Sequence, residues 1–126
     1  MSGPTRLKIL LVEDDFLIAM QLEAVLLAAG YDVLGPVATV RKALHALAEE
    51  RPAAAILDVN LGDETAFPVA DALAERAVPF VFCTGRDLAT LPAAYRRRPM
   101  LRKPCDATEL LSSLAQQLDG SPAAAN

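Results

Sequence analysis

The chain has 126 residues, 53% of them hydrophobic, and a formal charge of −4. That length suits one domain that buries roughly two-thirds of its unfolded surface, and the acidic balance argues against a nucleic-acid surface. No apolar run approaches the roughly 20 residues of a membrane span, and residues 1–6 (MSGPTR) lack the apolar core of a signal peptide, so a cytoplasmic location is expected.

Residues 7–12 (LKILLV) read as the first strand. Residues 15–29 carry apolar side chains at helical spacing (Phe16, Leu17, Met20, Leu22, Val25, Leu26) and stop at Gly30, which suits a left-handed helix end. A short strand over 31–36 follows. Thr39 caps a helix over 40–50 with Leu44 and Leu47 on its inner face, and Pro52 breaks it. Residues 53–57 form the third strand, and a loop over 59–66 leads to a helix with Pro68 in its first turn, running to about residue 76. Residues 79–83 (PFVFC) form the fourth strand.

Residues 85–98 fit a full helix badly. Pro92 falls mid-segment, where proline costs about 3 kcal/mol, and Arg96-Arg97-Arg98-Pro99 ends it. They read as a loop, or at most one or two turns. Residues 99–102 make a short fifth strand, and Asp106 caps a last helix to about residue 118, with Glu109 placed as in a capping box. The domain is expected to span 1–119, with 120–126 a frayed tail. Cys83 and Cys105 lack metal-ligand spacing, and the cytoplasmic default is two free thiols. His45 reads as an ordinary helix-surface residue and Arg96–Arg98 as a solvated face.

Strands alternating with helices give an α/β fold with a parallel sheet covered on both faces. For five strands the flavodoxin-like order 2-1-3-4-5 is the common solution, with its ligand site at the carboxyl ends of strands one and three. Charged residues sit at such ends: Glu13-Asp14-Asp15 after the first strand, Asp58 after the third and Lys103-Pro104 after the fifth. Clustered carboxylates raise each other's pKa, so the group calls for a divalent cation, and oxygen ligands of this kind suit Mg²⁺. Asp15 is better placed as an acid at a helix start and is left out of the site.

The set Glu13-Asp14, Asp58, Thr84 and Lys103-Pro104, each at a strand end and in this order, resembles the receiver domain of two-component response regulators, over about residues 7–118. The resemblance implies that Asp58 accepts a phosphoryl group from a phosphohistidine on a histidine kinase or phosphotransfer protein. It implies Mg²⁺ on the side chains of Asp14 and Asp58 and the backbone carbonyl of Asn60, with Glu13 acting through water. The Thr84 hydroxyl and the Lys103 ammonium would each take a phosphoryl oxygen. Such transfer depends mainly on positioning and charge neutralisation. The domain would assist its own phosphorylation without being an enzyme in the ordinary sense.

Residues 79–86 (PFVFCTGR) are similar to the Pro-Phe-x-Phe-Ala-Thr-Gly-Tyr motif of a receiver subfamily called FATGUY, with Cys83 in place of Ala and Arg86 in place of Tyr. Its members are mainly stand-alone receivers whose fourth helix is shortened or replaced by a loop. Met100 occupies the position of the aromatic residue through which ordinary receivers signal, so the expectation here is that phosphorylation orders residues 85–98 instead. Residues 119–126 are too few for a further folded domain, so output is expected through contact with a downstream protein or onward phosphotransfer, from a monomer or weak dimer. Arg86 and Arg96–Arg98 are candidates for contact with an acidic partner or a phosphate.

Three other functions compete. A haloacid-dehalogenase-type phosphatase also uses a strand-end Asp with Mg²⁺, but it needs a second Asp where this chain has Asn60. A flavodoxin-like cofactor binder needs a Ser/Thr/Gly loop where Glu13-Asp14 stand. An unphosphorylated scaffold pseudo-receiver would not require the full residue set.

Overall fold

The computed structural model describes residues 6–85, 93 and 99–119. In chain order the elements are β1 (Lys8–Val12), α1 (Phe16–Ala28), β2 (Asp32–Val37), α2 (Val40–Glu49), β3 (Ala54–Asp58), β4 (Asn60–Leu61), β5 (Glu64–Thr65), α3 (Phe67–Glu75), β6 (Phe80–Thr84), β7 (Met100–Arg102) and α4 (Ala107–Asp119). The main sheet is parallel and runs β2-β1-β3-β6-β7. With the β4–β5 hairpin set aside, this is the expected 2-1-3-4-5 order of the flavodoxin-like fold.

The apolar runs are continuous because both faces of the sheet are covered. Alternation sends Leu10, Val12, Leu57, Phe80 and Phe82 into a core under α2 and α3, and Ile9, Leu11, Ile56 and Cys83 into a second core under α1 and α4. In the first core Phe82 meets Phe80 edge-on at 5.3 Å between ring centroids. Such pairs add about 0.5–1.5 kcal/mol beyond area burial.

Local chemistry sets the helix starts. Asp15 accepts from the Ile18 amide, Thr39 from the Lys42 amide and Asp106 from the Glu109 amide. Each such cap is worth about 1 kcal/mol. α3 has no side-chain cap and relies on Pro68 in its first turn.

Four expectations are corrected. Phe16, Leu17 and Met20 point outward, at 73%, 69% and 50% exposure, while Ala19, Leu22 and Leu26 are buried. The continuous apolar composition of α1 hid which stripe faces inward. In α2, Ala43 rather than Leu44 joins Leu47 on the inner face. The expected loop 59–66 contains the β4–β5 hairpin, which turns at Gly62 with φ +63. Finally, Cys83 and Cys105 form a disulfide. The expected strand order already places β6 beside β7, but the register that lets Cys83 and Cys105 meet is not disclosed by their spacing in sequence. Residues 86–92, 94–98 and 120–126 lie outside the described residues, and with them the expected loop, the arginine run and the tail.

Gly35 is the most tightly enclosed of the described glycines. Its φ is +105, and a Cβ there would stand 2.8 Å from the Val37 backbone nitrogen and 3.0 Å from the Leu11 carbonyl oxygen. Both neighbours are backbone and cannot rotate aside. Gly35→Ala is therefore expected to cost about 1–3 kcal/mol, read as a lower urea midpoint with an unchanged slope.

Candidate functional site

The sheet register builds the site. Val12 pairs with Leu57, so Glu13 and Asp58 are the next residues along adjacent strands. Asp58 pairs with Cys83, which places Thr84 one step beyond it. Thr84 in turn pairs with Arg102, and the Lys103 amide donates to the Thr84 carbonyl at 2.9 Å. Four parallel strands thus deliver Glu13, Asp58, Thr84 and Lys103 to one end of the sheet.

Glu13, Asp58 and Thr84 are all buried there. The Lys103 Nζ lies 2.8 Å from Glu13 Oε1 and 3.1 Å from Asp58 Oδ2. Glu13 Oε2 accepts from the Asp15 amide at 3.0 Å, which fixes the side chain beneath the start of α1. Its Oε1 is buried without a hydrogen-bond donor in line and has the lysine ammonium as its charge partner. Asp58 Oδ1 accepts from the Asn60 amide at 3.3 Å, a local turn that orients the carboxylate. Asp14 is exposed, and its Oδ2 accepts from the Gly62 amide at 2.8 Å, so the hairpin tip steadies it.

The electrostatics are unfavourable by construction. Burial, reinforced by Glu13, pushes the Asp58 carboxyl up to about 7, while Lys103 acts against the rise. Burial alone would lower the Lys103 pKa, but Glu13 and Asp58 outweigh it and the ammonium is held above its usual value. One half-buried ammonium therefore serves two buried carboxylates, with a third carboxylate at the rim.

Glu13, Asp14 and Asp58 each present a carboxylate oxygen, all within 4.8 Å of one another. An all-oxygen set with an under-partnered buried oxygen fits a hard divalent cation such as Mg²⁺. The six residues expected from sequence are thus gathered, with two differences of detail. Glu13 is first the partner of Lys103, and Asn60 touches the cluster through its amide. The role of Gly62 in holding Asp14 was missed, although a glycine two residues after Asn60 signals a turn close to the site. Arg86 and Arg96–Arg98 lie outside the described residues.

The sequence profile of the response regulator receiver domain matches residues 9–115. A search of curated proteins returned no match. Among solved structures, SdrG from Sphingomonas melonis Fr1 is 44% identical, with a TM-score of 0.78 over 94% of this chain and 99% of that one. A BeF3-activated conformation of SdrG, from Pseudomonas melonis Fr1, is likewise 44% identical, with a TM-score of 0.76 over 91% of this chain and 99% of that one. The receiver domain of PhyR from Erythrobacter litoralis is 30% identical, with a TM-score of 0.82 over 93% of each chain.

Proposed function

The chain belongs to the response regulator receiver domain family of two-component systems, and on that premise we propose that Asp58 accepts a phosphoryl group from a phosphohistidine in a Mg²⁺-dependent reaction. An Asp58 carboxylate oxygen attacks phosphorus in line, the P–N bond breaks, the imidazole keeps the electron pair, and an acyl phosphate remains on Asp58. The observation that carries this reading is the convergence of the Lys103 ammonium on Glu13 and Asp58, at 2.8 and 3.1 Å, beside the three-carboxylate cluster.

In this reading Asp14, Asp58 and the Asn60 carbonyl would hold Mg²⁺, and Glu13 would act on it through water while steadying Lys103. Bound there, the ion would offset charge on the phosphoryl oxygens. Lys103 exchanges its pairing with Asp58 Oδ2 for a phosphoryl oxygen, and the Thr84 hydroxyl takes another. SdrG has been solved in a BeF3-activated conformation, which supports a phosphoacceptor reading for this close relative in sequence. We also assign the chain to the FATGUY subfamily on its residues 79–86, five of which form β6. The donor would be a histidine kinase or phosphotransfer protein, and output would pass by protein contact.

The test is incubation of the purified protein with Mg²⁺ and a small acyl-phosphate donor. One base-labile phosphoryl group per chain is expected, and none after chelation of Mg²⁺. No uptake from small donors or from any of a panel of histidine kinases would overturn the proposal. The raised pKa of Asp58 adds a pH signature. Its protonated form cannot bind the cation, so Mg²⁺ affinity should rise from about pH 6 to about pH 8 and then level off. Calorimetric titration with Mg²⁺ at several pH values would measure this.

A further inference from the structure

Cys83 and Cys105, one residue before Thr84 and two residues after Lys103, are joined by a disulfide. Cys83 is 1% exposed, lies between Phe82 and Thr84 on β6, and pairs in register with Asp58 on one side and Leu101 on the other. Cys105 is half-buried and lies two residues after Lys103. The bond closes a loop that starts just before Thr84 and ends just after Lys103, so both residues lie inside it, at its base. A small cavity of about 110 Å³, lined in part by Gln21, Val25, Lys103, Pro104 and Cys105, opens beside the second cysteine.

The strand that presents Lys103 is weakly anchored by other means. β7 has only three residues, sits at the sheet edge, and none of the three is buried. Edge segments with little burial open locally at low cost. The disulfide is the covalent tie between this edge and the buried centre of the sheet.

We propose that Cys83 and Cys105 are a reversible redox-modification site, which takes a small-molecule disulfide as oxidant, and that its state sets how firmly Lys103 and Thr84 are held against Asp58. The second part rests on the phosphoacceptor reading of Asp58. The Cys105 thiolate, nearer the surface, attacks one sulfur of the oxidant and expels the other as a thiolate. The Cys83 thiolate then attacks the Cys105 sulfur of the mixed disulfide and expels the second thiolate. Two protein thiols lose two electrons and two protons, and the oxidant is reduced to two thiols. In the oxidised form Lys103 stays beside Glu13 and Asp58. In the reduced form the β7 edge is freer and the ammonium spends less time there.

The experiment equilibrates the full chain in glutathione buffers of graded reduced-to-oxidised ratio, counts free thiols by alkylation and mass, and measures phosphoryl uptake from a small acyl-phosphate donor at each ratio. Amide exchange of residues 99–105 is followed in parallel. The expected result is a two-thiol transition and several-fold slower uptake in the reduced form, with faster exchange of residues 99–105. Cys105→Ser should behave as the reduced protein at every ratio, and Cys83→Ser provides a second variant should Cys105→Ser fail to fold. Thiols that stay free throughout, or a transition that changes neither exchange nor uptake, would overturn the proposal. A thiol transition with altered exchange but no uptake in either state would uphold the redox site and instead sink the phosphoacceptor reading.

Discussion

Asp58→Asn is expected to reduce phosphoryl labelling to background while making the metal-free domain more stable at alkaline pH. Loss of labelling follows from the chemistry: the amide has no carboxylate oxygen with which to form an acyl phosphate. The stability gain follows from linkage. The folded Asp58 titrates near 7, against an ordinary value of 3.8. Between those values the folded state holds a proton that the unfolded chain has released, so stability falls as pH rises from about 4 to about 7. A shift of about three units corresponds to at most about 4 kcal/mol, and local relaxation reduces the gain to on the order of 2 kcal/mol. Urea unfolding at pH 8 should show this gain, and at pH 4 the variant and the parent should converge. A variant that is less stable than the parent at pH 8 would contradict the electrostatics assigned to the site.

Lys103→Ala is expected to act in the opposite direction. It leaves Glu13 and Asp58, whose side chains are 1% and 6% exposed, without their shared cation. Removing one partner of a buried ion pair costs up to about 3–5 kcal/mol. Lys103 retains 19% exposure, so water replaces part of the interaction and about 2–3 kcal/mol is expected at pH 8. The loss should shrink toward pH 5 as Asp58, whose carboxyl already sits near 7, takes up a proton, and millimolar Mg²⁺ should restore part of it. Phosphoryl uptake should slow by at least about tenfold, the equivalent of 1.4 kcal/mol in the transition state. Stability equal to the parent in the absence of Mg²⁺ at pH 8 would show that the lysine does not hold the carboxylates. The domain should still fold, because both cores lie beneath the site and do not include Lys103.

Much of this arrangement can be read from residue order. Continuous apolar runs signal strands buried on both faces, and the alternation with helices leaves few ways to order them. Once the order is known, charges at the strand ends must converge, which is why Glu13, Asp58 and Lys103 meet. Asp15 also behaves as its position dictates, capping α1 and leaving the site to its neighbours.

What sequence conveys poorly is rotation and proximity. In α1 nearly every residue is apolar, so periodicity could not tell that Phe16, Leu17 and Met20 face outward while Ala19, Leu22 and Leu26 face in. Hairpin β4–β5 is too short for a strand pattern, and only its glycine marks it. The Cys83–Cys105 bond depends on sheet register, which no local signal encodes. The compartment default of free thiols carries no information about that register.

The central claim, that Asp58 is the phosphoacceptor, is tested most directly by trapping. The protein is incubated with Mg²⁺ and an acyl-phosphate donor, reduced with borohydride, digested, and sequenced by mass spectrometry. Reduction of an aspartyl phosphate converts that residue to homoserine. The account predicts homoserine at position 58 and at no other aspartate. Homoserine at Asp14 or Asp15 with Asp58 unchanged, or no conversion in a protein that folds and binds Mg²⁺, would contradict it.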